Sequence, residues 1–308
     1  MINYYCPGFV ESQTAYQKLF WLRDNAPQCF YEGAAIKKIY GCFPNMIWNG
    51  GSYWFGQGMS RNQIIEYFEW YKTKNVELQL TFTNPIIEPL DVHDRYCNAV
   101  LEIASHYDFV EVLVASDVLE KHIREKYPNM KIDKSIIATT RDRNGEQDNI
   151  DSYIQSLENY NMSVLPRKYS KDFNFLNQIP EDKRNKFEIL ITDPCAISCP
   201  RLYSHYEDMA KAQMWIEGGE ECSKCTAFNP QNPFRQWTYR NQRVTSFEDL
   251  RKYEEKGFTE FKISGRTSMI QMILTVIPYL IKPEYQLDVY FMLFDCYKNI
   301  PIQPEFIY

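Results

Sequence analysis

The sequence predicts an α/β protein, a (β/α)8 TIM-like barrel, on three observations. Short runs rich in β-branched and aromatic residues alternate with amphipathic stretches along the whole chain. The alternation occurs eight times, which points to parallel strands joined by helical crossovers. Some runs are apolar at nearly every position, as at Val110, Val112, Leu113 and Val114, the pattern of a sheet covered by helices. A doubly wound open sheet is the alternative, and the Gly-x-Gly-x-x-Gly turn usual to it is absent.

The expected strands are 2–5, 36–40, 76–82, 109–114, 135–139, 162–165, 187–191 and 260–263. Helices are expected at 14–23, 61–71, 94–105, 116–126, 150–158 and 247–256. The helical period is plain in Val118, Leu119, His122 and Ile123. Pro200 suits the first turn of a further helix through Tyr206 to Lys211. Two stretches exceed a minimal barrel. One is a Gly-, Asn- and aromatic-rich loop at 41–59, after the second strand. The other is an insertion at about 214–244, between strands seven and eight. A last helix at about 283–298 is expected to cover one end or side, and no linker marks a second domain within 1–308.

Composition narrows the function classes. The chain has 308 residues, 34 basic against 40 acidic, and a net charge of −6. That balance argues against non-specific binding to nucleic acid, though it allows a local basic groove. The N-terminus has no basic-then-apolar segment, and the apolar stretch at 270–281 is too short to span a bilayer, so the expectation is a cytoplasmic protein with no membrane partner. Nine cysteines in a reducing compartment favour thiols or metal ligation over disulfides.

Four of those cysteines form the most pointed motif. Cys195 and Cys199 lie after the seventh strand, and Cys222 and Cys225 lie in the insertion, giving C-x3-C … C-x2-C. Four thiolates so grouped suit a tetrahedral zinc or a [4Fe–4S] cluster, and spacing does not choose between them. In a barrel the C-terminal ends of the strands form the rim where active sites are built. Cys6 and Cys42 follow the first two strands and are candidates to replace one ligand, against the plainer reading of packed thiols. Cys29, Cys97 and Cys296 read as interior.

Around this rim, His205 and Arg201 share a helix face and Lys262 ends the eighth strand; these three are the candidate catalytic residues. Gly265 and Arg266 suit an anion such as a carboxylate or phosphate, with a tight strand–helix turn as the rival reading. Asn84, Arg61 and Arg167 are further rim candidates. His93, His106 and His122 read as structural. Trp48, Tyr53, Trp54 and Phe55 crowd the 41–59 loop and either stack on an aromatic ligand or pack on the barrel end.

The run Glu188-Ile-Leu-Ile-Thr-Asp-Pro-Cys-Ala-Ile-Ser-Cys-Pro-Arg-Leu-Tyr-Ser-His-Tyr, then Gly257-Phe-Thr-Glu-Phe-Lys-Ile-Ser-Gly-Arg, resembles the collagenase-like (PrtC-type) peptidase family. Ile36-Lys-Lys-Ile-Tyr-Gly is similar to that family's second strand. The resemblance implies a barrel carrying a four-cysteine [4Fe–4S] cluster. It also implies kinship with proteins of oxygen-independent hydroxylation of RNA or a ubiquinone precursor. The chain departs from those relatives in its cysteine spacing and in lacking their C-terminal extension, so no substrate carries over.

The resulting expectation is an iron–sulfur oxidoreductase or hydroxylation protein acting on a small anionic or aromatic substrate, or RNA. The alternatives are a zinc-stapled scaffold in a homo- or hetero-oligomer, and a collagenase-like cysteine peptidase. Neither a His-Glu-x-x-His motif nor a Gly-x-Ser-x-Gly elbow is present to support proteolysis.

Overall fold

The computed structural model describes residues 1–52, 54–142, 148–192, 199, 201–216, 246–265 and 268–295. Eight parallel strands close into a barrel in chain order. They are β1 (Ile2–Pro7), β2 (Ala34–Gly41), β3 (Glu77–Phe82), β4 (Val110–Val114), β5 (Ile132–Lys134), β6 (Ser163–Val164), β7 (Phe187–Leu190) and β8 (Glu260–Lys262). Closure is made by β1 against β8, with Tyr5 beside Lys262.

Among the described residues the helices are α1 (Gln13–Asn25), α2 (Arg61–Lys72), α3 (Arg95–Ala104), α4 (Asp117–Lys126), α5 (Ile136–Asp142), α6 (Ile150–Ser156), α7 (Phe173–Leu176), α8 (Leu202–Gln213), α9 (Phe247–Glu254), α10 (Met269–Leu280) and α11 (Pro283–Phe294). Several start on side-chain caps that satisfy the first free N–H groups. Ser60 and Gln63 form a reciprocal capping box on α2, Asp94 accepts from Cys97 N on α3, and Ser246 accepts from Asp249 N on α9.

The fifth strand is a correction. The run 135–139 was expected as strand because it is β-branched, but the strand is the preceding Ile132–Lys134 and the run opens α5. Ser135 Oγ accepts from the backbone N–H of Ile137 and Ala138, both at 3.2 Å, which starts a helical turn. Thr140 then folds its hydroxyl back onto Ile136 O at 2.6 Å. Local capping and back-bonding outweigh the weak β preference of Ile and Thr.

Alternation along each strand separates two cores. Ile2, Tyr4, Cys6, Ile39, Leu78, Leu80, Val112, Ile189 and Phe261 pack outward into the strand–helix layer. The other face of each strand fills the barrel, and there the residues are largely polar: Lys38, Gln79, Glu111, Asp133, Glu188, Glu260 and Lys262, all buried. α11 lies along the side of the barrel against α10 and α1, where Lys18 Nζ donates to Met292 O at 2.6 Å. No helix among the described residues is long and apolar enough to cross a membrane.

Candidate active site

The barrel interior holds two lysine–carboxylate groupings, one above the other. In the lower, Lys38 Nζ contacts Glu111 and stands 3.2 Å from Asp133 Oδ2. Gln79 Nε2 bridges the same acids, donating to Glu111 Oε1 at 2.9 Å and to Asp133 Oδ2 at 2.8 Å. Burial, reinforced by the Asp133 charge, pushes the Glu111 carboxyl well above its usual range. Burial opposes the Asp133 charge too, but Lys38 and hydrogen bonds from Glu111, Lys38 and Asn161 hold it below its usual value. Burial and their mutual charge thus drive the proton affinities of the two acids apart, with Lys38 beside both.

In the upper grouping Lys262 Nζ lies 2.7 Å from Glu188 Oε1, donates to Gln79 Oε1 at 3.3 Å, and sits 4.1 Å from the centre of the Tyr40 ring. Gln79 thus joins the two groupings, with its amide nitrogen below and its oxygen above. A fourth carboxylate, Glu260, accepts from Tyr5 Oη and Asn3 Nδ2, each at 2.8 Å, and pairs with Lys37.

Above Lys262 the mouth of the barrel opens into a cavity of about 250 Å3. Tyr40, Thr81, Lys262 and Ser264 line its base, while Leu113, Ile136, Ile137, Leu190 and Met209 make apolar walls. Gly50, Gly51 and Ser52 of the loop after β2 form one side. Gly50 is required there, because a Cβ would stand 2.2 Å from Thr83 O. α8 holds the loop in place: Gln213 Oε1 accepts from Trp54 N at 2.7 Å, and its Nε2 donates to Met46 O at 3.0 Å.

The candidates from the sequence divide around this cavity. His205, Lys262, Gly265 and Arg167 all line it. Burial, aided by the nearby Arg201 and Arg167 charges, lowers the His205 pKa against the opposing pull of Asp208, so the imidazole is neutral at pH 7. Arg167 is buried, its Nη2 bonds Tyr206 Oη, and its guanidinium lies 5.5 Å from that ring. Gly265 adopts φ +136°, where a side chain would be strained and would meet Thr275 Oγ1 at 2.9 Å.

Other candidates lie elsewhere. Arg201, which precedes α8, pairs at 3.7 Å with Asp208 and is not part of the lining. Arg61 is exposed at the start of α2, bonded to Glu102. Asn84 is wholly buried and spent on backbone, donating to Ile47 O at 2.7 Å and accepting from Ile86 N at 3.0 Å. Trp48 is also fully buried, with Nε1 donating to Asp91 O at 2.9 Å, so it packs the barrel end instead of facing a ligand. Phe55 pairs with Trp215 across 4.2 Å, and Tyr53 lies outside the described residues.

Of the proposed metal ligands, Cys195, Cys222 and Cys225 lie outside the described residues, as do Arg266 and Cys296. Cys199 is described: a free, half-buried thiol just before α8, whose carbonyl accepts from Leu202 N at 3.3 Å. Its setting fits a thiolate donor, with α8 behind it supplying the positive end of a helix dipole. The other described cysteines, Cys6, Cys29, Cys42 and Cys97, are buried and form no disulfide among the described residues. Burial pushes the Cys6 thiol far up, and neither Cys6 nor Cys42 lines the cavity. Among the described residues no cluster of three or more metal-ligating side chains forms.

No family model and no curated protein matches this chain. Among solved structures, that of the U32 peptidase Mk0906 is similar at 13% identity over 84% of this chain and 90% of its own, with a TM-score of 0.47.

The seven interior polar residues escaped the sequence reading, apart from Lys262. A signal existed for four of them, which sit between apolar neighbours: Val-Glu111-Val, Leu-Gln79-Leu, Phe-Glu188-Ile and Phe-Lys262-Ile. A helix-covered strand facing an apolar barrel would not alternate in this way.

Proposed function

We propose that this barrel is an iron–sulfur enzyme that takes a small anionic substrate with an apolar or aromatic body into its mouth. The observation that carries the reading is the mouth cavity itself, where Lys262, Arg167 and neutral His205 converge within apolar walls. Enclosure of that kind, with a few polar groups aimed at one space, is the pattern of a small-molecule site. An anion fits between Lys262 and Arg167, and Leu113, Leu190 and Met209 take an apolar body.

The cluster would be held by Cys195, Cys199, Cys222 and Cys225. α8 links the two parts: Cys199 precedes it, while His205, Tyr206 and Met209 along it face the cavity. Bound there, the group would supply single electrons to a ligand in the mouth. The protein's own part is to orient the anion, exclude water with the 41–59 loop, and offer His205 as a proton acceptor.

Anaerobic purification with iron, sulfide and zinc analysis tests this reading. The expected protein is brown, with about four irons per chain, and loses the colour in Cys199→Ser. One zinc per chain and no iron would replace it with the zinc-stapled scaffold.

A further inference from the structure

Lys262 has features beyond those an anion anchor needs. It is the last residue of β8, so its amine stands where a barrel presents reacting groups. Its side chain is 6% exposed, and that residual exposure opens into the mouth cavity. Glu188 reaches it at 2.7 Å, and Glu188 is itself fully buried. Lys38 lies between Glu111 and Asp133, with Glu77 a further 3.9 Å neighbour, and is not among the residues lining the mouth cavity. Desolvated lysines beside a proton acceptor are the ones that serve as nucleophiles.

We propose that Lys262 is an imine-forming amine, and that its partner in the mouth is a small 2-oxo acid. The inference rests on the mouth being a ligand site but not on the metal. The ligand's carboxylate is matched to Arg167, and its carbonyl carbon then faces Nζ. Burial raises the affinity of Glu188 for a proton, so the pair can pass from ammonium and carboxylate to amine and acid. The free amine attacks the carbonyl carbon, one N–H proton moves to the carbonyl oxygen, and a carbinolamine forms. Its hydroxyl takes the proton held on Glu188 and leaves as water. What remains is a protonated imine facing the Glu188 carboxylate again. Three ammonium protons become one on the iminium and two in the water, and no oxidant or reductant is consumed.

The test is reductive trapping on the full-length protein. Wild type is treated with glyoxylate or pyruvate and then borohydride, and the lysine adducts are mapped by peptide mass spectrometry. The expected result is an adduct on Lys262 ahead of the exposed Lys121 and Lys252, absent from Lys262→Arg. Adducts confined to surface lysines in the folded wild type would overturn the inference. That outcome is readable without any variant, so misfolding of Lys262→Arg does not blur it. Metal analysis and adduct mapping are separate readouts: a metal-free protein that still labels Lys262 would sink the iron–sulfur reading and leave this one standing.

Discussion

Two lysine–carboxylate groupings share one barrel interior, and they differ in what surrounds them. Lys38 lies against Glu111 and Asp133, with Gln79 bonded to the same two acids. Lys262 meets Glu188, shares Gln79, and lines the mouth cavity. The lower grouping lies among side chains of the barrel interior, while the upper one borders the mouth cavity. The same pair of residue types thus stands in two different surroundings, set by its height in the barrel.

Breaking the lower grouping should give the largest effect. Lys38→Met removes the only cation among the described residues within 4 Å of the buried Asp133 and leaves that carboxylate uncompensated. Loss of one partner from a buried ion pair costs about 3–5 kcal/mol. Urea unfolding should report a loss of that size, large against the stability of an ordinary domain. A change under 1 kcal/mol would mean that water reaches Asp133 and that the grouping is not sealed.

How much of this was legible beforehand depends on which force set each feature. The barrel was readable because apolar runs and helix caps are local signals, and seven of the eight strands lie where those runs occur. The fifth was misplaced because Ser135 caps a helix through a bond that composition does not display. The mouth was half readable. Lys262, Gly265 and Arg167 follow from their positions at strand ends, and His205 from α8. Asn84 was placed by the same proximity, and Arg61 by its position at the start of a helix. However, neither position says which way a side chain turns, and theirs turn to Ile47 and Glu102. The charged interior was missed because a lone Glu in an apolar strand reads as an interruption, when it is the inward half of a two-residue period.

A subtler break of the same grouping is Glu111→Gln. The amide keeps the shape: its oxygen can accept from Lys38 and Gln79, and its nitrogen can donate to Asp133. The difference lies in titration. The Glu111 pKa is raised in the folded protein, so between its unfolded value near ~4.3 and its folded value the native state binds one extra proton. Stability from this group is full below the unfolded pKa and is lost as pH rises through the folded one, at about 1.4 kcal/mol per pH unit. Urea unfolding of wild type should therefore lose stability from pH 4.5 upward relative to Glu111→Gln. Parallel curves for the two proteins would show that Glu111 is ionised in the native state.

The smallest effect should come from Arg61→Ala, which sharpens the comparison from outside the barrel. Arg61 bonds Glu102 on the surface and holds the Glu102 carboxyl down to about 2, with help from His106. Both partners are open to water, and ion pairs of that kind are screened and exchange readily with solvent. The substitution should leave thermal unfolding unchanged within error at 0.15 M salt, and leave the adduct on Lys262 as strong as in wild type. The side chain lies at the N-terminus of α2, away from the cavity lining, so a fall in Lys262 labelling would have to travel through the 41–59 loop that precedes it. That result would make the loop a moving wall of the site, joining an outer surface to the upper grouping while the lower one stayed fixed.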